Sequence, residues 1–253
     1  MNASYKKAYP FEVSPQSVDF NFQITLSSLT ALLMETASKN AEENGFGTRH
    51  LREGSNTWVL LRMAIEMDSF PKQFEQIYIE TWVEDIGRVS TTRNFHIKDR
   101  NQNTLGYATS IWAMIDYNSR KPQDLLQLGN MQRFATGEKV PIEKPVKLKE
   151  MKGRLTDDFK AKYSHIDFNR HVNTMRYVEW ISNCFTPDYY NRKKLKRFDI
   201  NFMSEILFGD PIQIYLTEDE DNDTYFFEMC SQERTSCRAK LVFEDGWHTD
   251  DAD

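Results

Sequence analysis

Apolar positions fall at helical spacing in two stretches of this chain and at strand spacing in eight others. Leu26, Leu29, Leu32, Leu33, Thr36, Ala37 and Ala41 follow the i, i+3, i+4 pattern of a helix of roughly four turns, starting at Ser27 or Ser28 and stopping near Gly45 and Gly47. Residues 57–67, 76–84, 89–98 and 105–116 then read as strands, rich in Val, Ile, Thr, Trp and Tyr and punctuated by Asp68-Ser69-Phe70-Pro71, Gly87 and Asp99 to Asn103. The order then repeats. Asn173 is placed to cap a second helix with the stripe Val178, Ile181, Cys184 and Phe185, and strands follow at about 197–204, 211–217, 224–231 and 236–244. In the last of these Cys237, Ala239, Leu241 and Phe243 alternate with Arg238, Lys240 and Val242, as in a sheet with one covered face. No helices separate the later strands, so the pattern excludes βαβ winding. It predicts an α+β chain in which an antiparallel sheet wraps one long helix, twice over.

A short repeat marks the start of each half. Val18-Asp19-Phe20-Asn21-Phe22-Gln23-Ile24 echoes Ile166-Asp167-Phe168-Asn169-Arg170-His171-Val172, with Gln23 where the second copy has His171. One fold used twice, with its proton-handling residue in a single half, accounts for both the echo and the difference. Residues 118–158 are polar, with Pro122, Pro141 and Pro145 among alternating Lys and Glu, and read as a surface connection. The expected division is 1–125, a linker at 126–158, and 159–253.

Composition narrows the function classes. The 253 residues, 40% hydrophobic and 28% charged, make an ordinary globular chain with a core of normal size. A net charge of −6 argues against general nucleic-acid binding. Three cysteines, Cys184, Cys230 and Cys237, supply neither a disulfide framework nor a paired zinc motif, and read as small core residues. No apolar run resembles a signal peptide or reaches the ~18 residues of a membrane span, so neither membrane insertion nor export is expected and the cytoplasm is the default.

A helix cradled in an antiparallel sheet, duplicated, is the tandem (double) hotdog arrangement, and particular residues extend the likeness. Trp58-Val59-Leu60-Leu61-Arg62-Met63-Ala64-Ile65-Glu66-Met67, Pro71, Glu80-Thr81-Trp82-Val83 and Ala108 to Met114 resemble segments of the plant-type acyl-acyl carrier protein thioesterases. Asp167-x-Asn169-x-His171-Val172-Asn173 resembles that family's catalytic signature, and the likeness runs from about residue 5 to about 245. It implies hydrolysis of a fatty acyl thioester on the phosphopantetheine arm of acyl carrier protein, a step of fatty acid biosynthesis, without a cofactor or metal. It also implies catalytic roles for Asp167, Asn169, His171 and Glu205. The family usually has Cys after that Glu; here Ile206 stands there, which rules out a thiol nucleophile at that position and favours carboxylate-and-water chemistry.

The residues themselves fit that chemistry. A thiolate leaves readily, so a carboxylate base suffices. Asp167 and Glu205 are the acidic candidates; His171, with an unperturbed pKa of about 6.5, can orient or shuttle a proton; Asn169 can hold the carbonyl oxygen or the water. Plainer roles compete: a turn brace for Asp167, an N-cap for Asn173, a solvated strand end for Glu205. His165, Asp167, Asn169 and His171 alternate along the chain, but without a fixed ligand spacing they predict no metal. Arg192, Lys193, Lys194, Lys196 and Arg197, a solvated loop by default, become a docking candidate against an acidic carrier. Hydrolysis of a coenzyme A thioester, a hydroxyacyl dehydratase and a non-catalytic acyl-binding sensor are the competing readings. The half without the His is expected to shape the acyl pocket. A homodimer is left open, because two hotdogs in one chain already make the pair that single hotdogs form by dimerising.

Overall fold

The first helix begins one residue ahead of its apolar stripe's serines because Thr25 caps it, its hydroxyl accepting from the Ser28 amide at 3.1 Å. In the computed structural model, which describes residues 5–52, 54–127 and 130–246, two compact units divide between Val146 and Lys147. The first unit runs β1 (Lys7–Glu12), α1 (Leu26–Glu43), α2 (Thr48–Arg52), β2 (Asn56–Met67), β3 (Gln76–Ile86), β4 (Thr91–Asp99) and β5 (Thr104–Asp116). Its strands pair antiparallel in the order β1-β3-β4-β5-β2. Leu29, Leu33, Ala37 and Ala41 form the buried face of α1. Gly45, at φ +79°, lies just beyond the helix end, in a conformation that suits glycine.

The second unit runs β6 (Arg154–Lys160), α3 (Thr174–Ser182), α4 (Pro187–Arg192), β7 (Lys193–Phe202), β8 (Pro211–Asp219), β9 (Thr224–Ser231) and β10 (Arg234–Asp245). These strands pair antiparallel in the order β7-β10-β9-β8-β6. α3 buries Tyr177, Val178, Trp180 and Ile181. Each unit is a hotdog, an antiparallel sheet with a helix burying its apolar face.

Three expectations need correction. The second helix ends at Ser182, so Cys184 and Phe185 lie beyond it; Thr186 and Pro187 open a separate turn of helix, and Phe185 instead packs edge-on against Tyr225 at 4.9 Å. The stretch read as a linker is not bare connection. Met131 and Phe134 join Ala41, Phe46 and Val83 in a buried cluster, and β6 occupies its last residues. Leu125 and Leu148 are buried as well, so a few apolar side chains anchor a run that polarity alone marked as exposed. Finally, the basic run is not a loop: Arg192 ends α4 and Lys193 to Arg197 open strand β7. Lys193 pairs with Asp223 and Asp245, both at 2.7 Å, and Lys194 with Glu244 at 3.5 Å. Arg197 grips the buried Asp199 bidentately at 2.6 and 2.8 Å. Cations committed to carboxylates of their own sheet are poor candidates for steering a partner.

Candidate active site

The two copies of the short repeat close the same loop, bond for bond. In the second, Asp167 Oδ1 accepts the Asn169 and His171 amides at 2.8 and 3.4 Å; in the first, Asp19 Oδ1 accepts those of Asn21 and Gln23 at 2.8 and 3.1 Å. The Asp167 amide donates to the His171 carbonyl and the Asp19 amide to that of Gln23, each at 2.8 Å. Arg170 and Phe22 take the same left-handed conformation, φ +67° and +58°. A short acceptor side chain bracing two amides is what closes so tight a turn around a non-glycine residue. The brace reading of Asp167 therefore holds for its Oδ1, whatever else the carboxylate does.

The repeat extends to the facing strand ends. The Val172 amide donates to the Ile206 carbonyl at 2.8 Å, as that of Ile24 does to the Pro71 carbonyl at 2.9 Å, and His171 bridges Leu207 as Gln23 bridges Lys72. Ile206 thus corresponds to Pro71, and Glu205 to Phe70. The first half lacks the carboxylate as well as the imidazole, a replacement the sequence reading missed. Once the loops are aligned through Asp-Phe-Asn, Phe70-Pro71 against Glu205-Ile206 is the signal that reveals it.

In the second half those two groups meet. His171 Nε2 lies 3.2 Å from Glu205 Oε2, with the side chains 25% and 42% exposed, so a water molecule reaches the pair. The side chain of Asn173 caps α3 by accepting from the Met175 amide at 3.0 Å, and its carbonyl takes the Arg176 amide. The Asn169 carboxamide and the Thr174 amide are donors without an acceptor among the described residues. An imidazole and two open donors thus stand within one loop and the helix start it feeds, with the Glu205 carboxylate reaching the imidazole from the segment after β7. His165 turns to other work, its Nδ1 accepting from the Lys162 amide at 3.0 Å and its ring edge-on to Trp180.

Cys184 and Cys230 are part-buried and Cys237 is buried. Burial pushes Cys184, Cys230 and Cys237 up from the usual thiol range, and Cys237 is wholly enclosed. Ile206 is likewise sealed from solvent. A thiol held protonated and covered alkylates slowly. Iodoacetamide at neutral pH is therefore expected to leave hydrolytic activity nearly intact over an hour, measured against an untreated control; rapid stoichiometric inactivation would contradict this.

The first unit holds a cavity of about 170 Å³ lined by Met34, Phe46, Trp58, Trp112 and Phe134, with Arg93 in its wall. Met63 is fully buried but does not line it. Arg93 donates to Asn40 Oδ1 at 2.9 Å and Thr81 Oγ1 at 3.2 Å, and burial lowers its pKa to about 10, which leaves it charged at neutral pH. The cavity is thus largely apolar, with one buried cation in its wall.

Among the described residues no helix is long and apolar enough to cross a membrane.

Comparison with known proteins places this chain. Residues 2–127 match the acyl-ACP thioesterase N-terminal domain and residues 148–246 the C-terminal domain. An oleoyl-acyl carrier protein thioesterase of Coriandrum sativum chloroplasts is 25% identical over 239 residues, which is 87% of this chain and 64% of that protein. The chain thus spans under two thirds of that plant relative. The crystal structure of an acyl-ACP thioesterase from Bacteroides thetaiotaomicron is 38% identical, with a TM-score of 0.90 over 95% of this chain and 98% of that one. A 12:0-ACP thioesterase from Umbellularia californica shares the fold at 15% identity, TM-score 0.79, over 96% and 99% of the two chains. With both domain models matched along nearly its whole length and the paired hotdogs in hand, the chain belongs to the acyl-ACP thioesterase family.

Proposed function

We propose that the protein hydrolyses the thioester of a fatty acyl chain held on acyl carrier protein, releasing the free acid and the holo-carrier. The observation that carries this reading is the contact between His171 and Glu205, 3.2 Å apart in the one half that has both residues. Residues 159–253 supply the chemistry. Residues 1–125, with the cavity beside Trp58 and Trp112, hold the acyl chain, and 126–158 join the two.

Glu205 is the base. Its carboxylate faces a water-accessible space, whereas Asp167 Oδ1 is engaged by two amides of its own loop. Glu205 removes a proton from water as the water oxygen bonds to the thioester carbonyl carbon. The carbonyl oxygen becomes an oxyanion facing the Asn169 carboxamide and the Thr174 amide at the start of α3, where the helix dipole adds partial positive charge. Collapse breaks the carbon–sulfur bond. The proton taken by Glu205 passes through His171 to the departing thiolate, so the acid is released and the pantetheine thiol restored. Asp167 holds the His171 amide and thereby the register of the imidazole.

The test is direct. Purified protein incubated with acyl carrier proteins bearing chains of several lengths, and with the same chains on coenzyme A, is expected to release free fatty acid faster from the carrier protein at equal concentration. Absence of release from every acyl carrier protein would refute the reading, and faster release from coenzyme A would reassign its substrate.

A further inference from the structure

The duplicated loop contains its own control for which residues folding requires. The backbone bonds that set the first half's Glu12, Ser14 and Phe22 recur at Lys160, Lys162 and Arg170. Val13 and Ala161 donate to the carbonyls of Glu75 and Asp210 at 3.0 and 2.9 Å, and each takes back an amide, from Phe74 and Gly209. Ser17 and His165 donate to the carbonyls of Ser14 and Lys162 at 2.9 and 3.0 Å. The same loop closes with an acid, a hydroxyl and a phenyl ring, so nothing in its folding calls for three cations. Yet the half carrying His171 and Glu205 has a cation at all three places.

All three are exposed and form no ion pair with any described residue, in contrast to Lys193, Lys194 and Arg197 of β7. Large apolar side chains stand exposed on the same loops: Tyr163 at 87%, Phe168 at 76% and Phe208 at 67%. The backbone ties these segments into one surface, through the bonds of Ala161 with Gly209 and Asp210 and the bridge of His171 to Leu207. Exposed aromatics ringed by unpaired cations are the composition of a protein interface that selects an acidic partner.

Resting on the hydrolase reading above, we infer that this rim of the catalytic half, with Lys160, Lys162 and Arg170 as its charges and Phe168 and Phe208 as its apolar contacts, is where the carrier protein docks. The occupant follows from the position of the rim. The thioester reaches His171 on a phosphopantetheine arm, and the arm's phosphodiester is an anion fixed between the thioester and the carrier's own surface. A cationic rim beside His171 meets that phosphodiester and an acidic carrier face together. A carrier docked on β7 would find its cations already neutralised.

The test writes the first half's residues into the second: Lys160→Glu, Lys162→Ser and Arg170→Phe, together and with Lys160→Glu alone, since that strand position lies away from the His171 turn. Lys193→Glu is the control for a charge reversal outside the rim. Steady-state kinetics are run on an acyl carrier protein and on the same acyl chain attached to pantetheine, which has neither phosphate nor protein. For the triple variant the KM for the carrier substrate is expected to rise roughly tenfold or more and to lose its salt dependence, with kcat little changed. Lys160→Glu alone should move KM the same way by a smaller factor. On the pantetheine thioester kcat and KM should stay within about twofold. An unmoved carrier KM in a wild type that turns the carrier over would overturn the docking face alone; a wild type inert on every carrier would instead refute the hydrolase reading. Conversion of a wild-type dimer to monomers by Phe208→Ser with the carrier KM unmoved would also overturn it, making the rim a contact between copies of this chain.

Discussion

His171→Ala is expected to lower kcat on an acyl carrier protein by about a hundredfold or more, while Gln23→Ala leaves it within about twofold. The two side chains occupy the same place in the same loop, so the pair separates chemistry from architecture. Neither change touches the bonds that close the loop, which run between Asp167 or Asp19 and backbone amides. The loops should persist in both variants, and unfolding midpoints close to wild type would verify that. What differs is the neighbour: His171 faces Glu205, whereas Phe70 stands where a carboxylate would have to face Gln23. A general acid–base group contributes roughly 10²–10⁴ in rate, so its loss is far outside the effect of trimming a spectator amide. Equal losses in two folded variants would mean that both halves take part in the chemical step.

Glu205→Gln should cost at least as much, because the amide keeps the shape and a hydrogen bond toward His171 Nε2 but has no lone pair basic enough to deprotonate water. The informative partner is Asp167→Asn. Its side-chain oxygen can still accept the Asn169 and His171 amides, so the brace survives and only the charge is lost. Its kcat is expected to fall by at least tenfold less than that of Glu205→Gln, since Asp167 Oδ1 is engaged by amides of its own loop while Glu205 faces the imidazole. Single-turnover rates on one carrier substrate decide the matter. Losses of the same size would put both carboxylates in the proton transfer.

Much of the fold was legible because its elements are written locally. The period-two stretches gave eight strands within a few residues of their observed ends, and the stripe from Leu26 to Ala41 gave α1. The edge strands β1 and β6 escaped. Arg154–Lys160 has mostly exposed side chains, and an edge strand with little burial carries no alternation to read. α4 escaped because Pro187 resets the chain after only a few residues, and a stripe extrapolated through Cys184 and Phe185 concealed the break. Within the site, Asp167, Asn169 and His171 were visible as a motif, while Glu205 lay far along the chain and came from family likeness alone.

The sequence by itself determined the α+β class, the duplication, the placement of the imidazole in one half and the absence of a cysteine beside Glu205, all properties of residue order. Tertiary structure alone decided which charges are spoken for. The run from Arg192 to Arg197 looks like the strongest cationic patch, yet Asp223, Asp245 and Glu244 meet it from elsewhere in the unit and Asp199 from along its own strand. Lys160, Lys162 and Arg170 are close in sequence, but only the fold shows that they form no ion pair with described residues and that the bonds of Ala161 with Gly209 and Asp210 bring the Phe208 turn beside them. Ion pairing depends on distances of a few ångströms between residues tens of positions apart, and no local pattern encodes those distances.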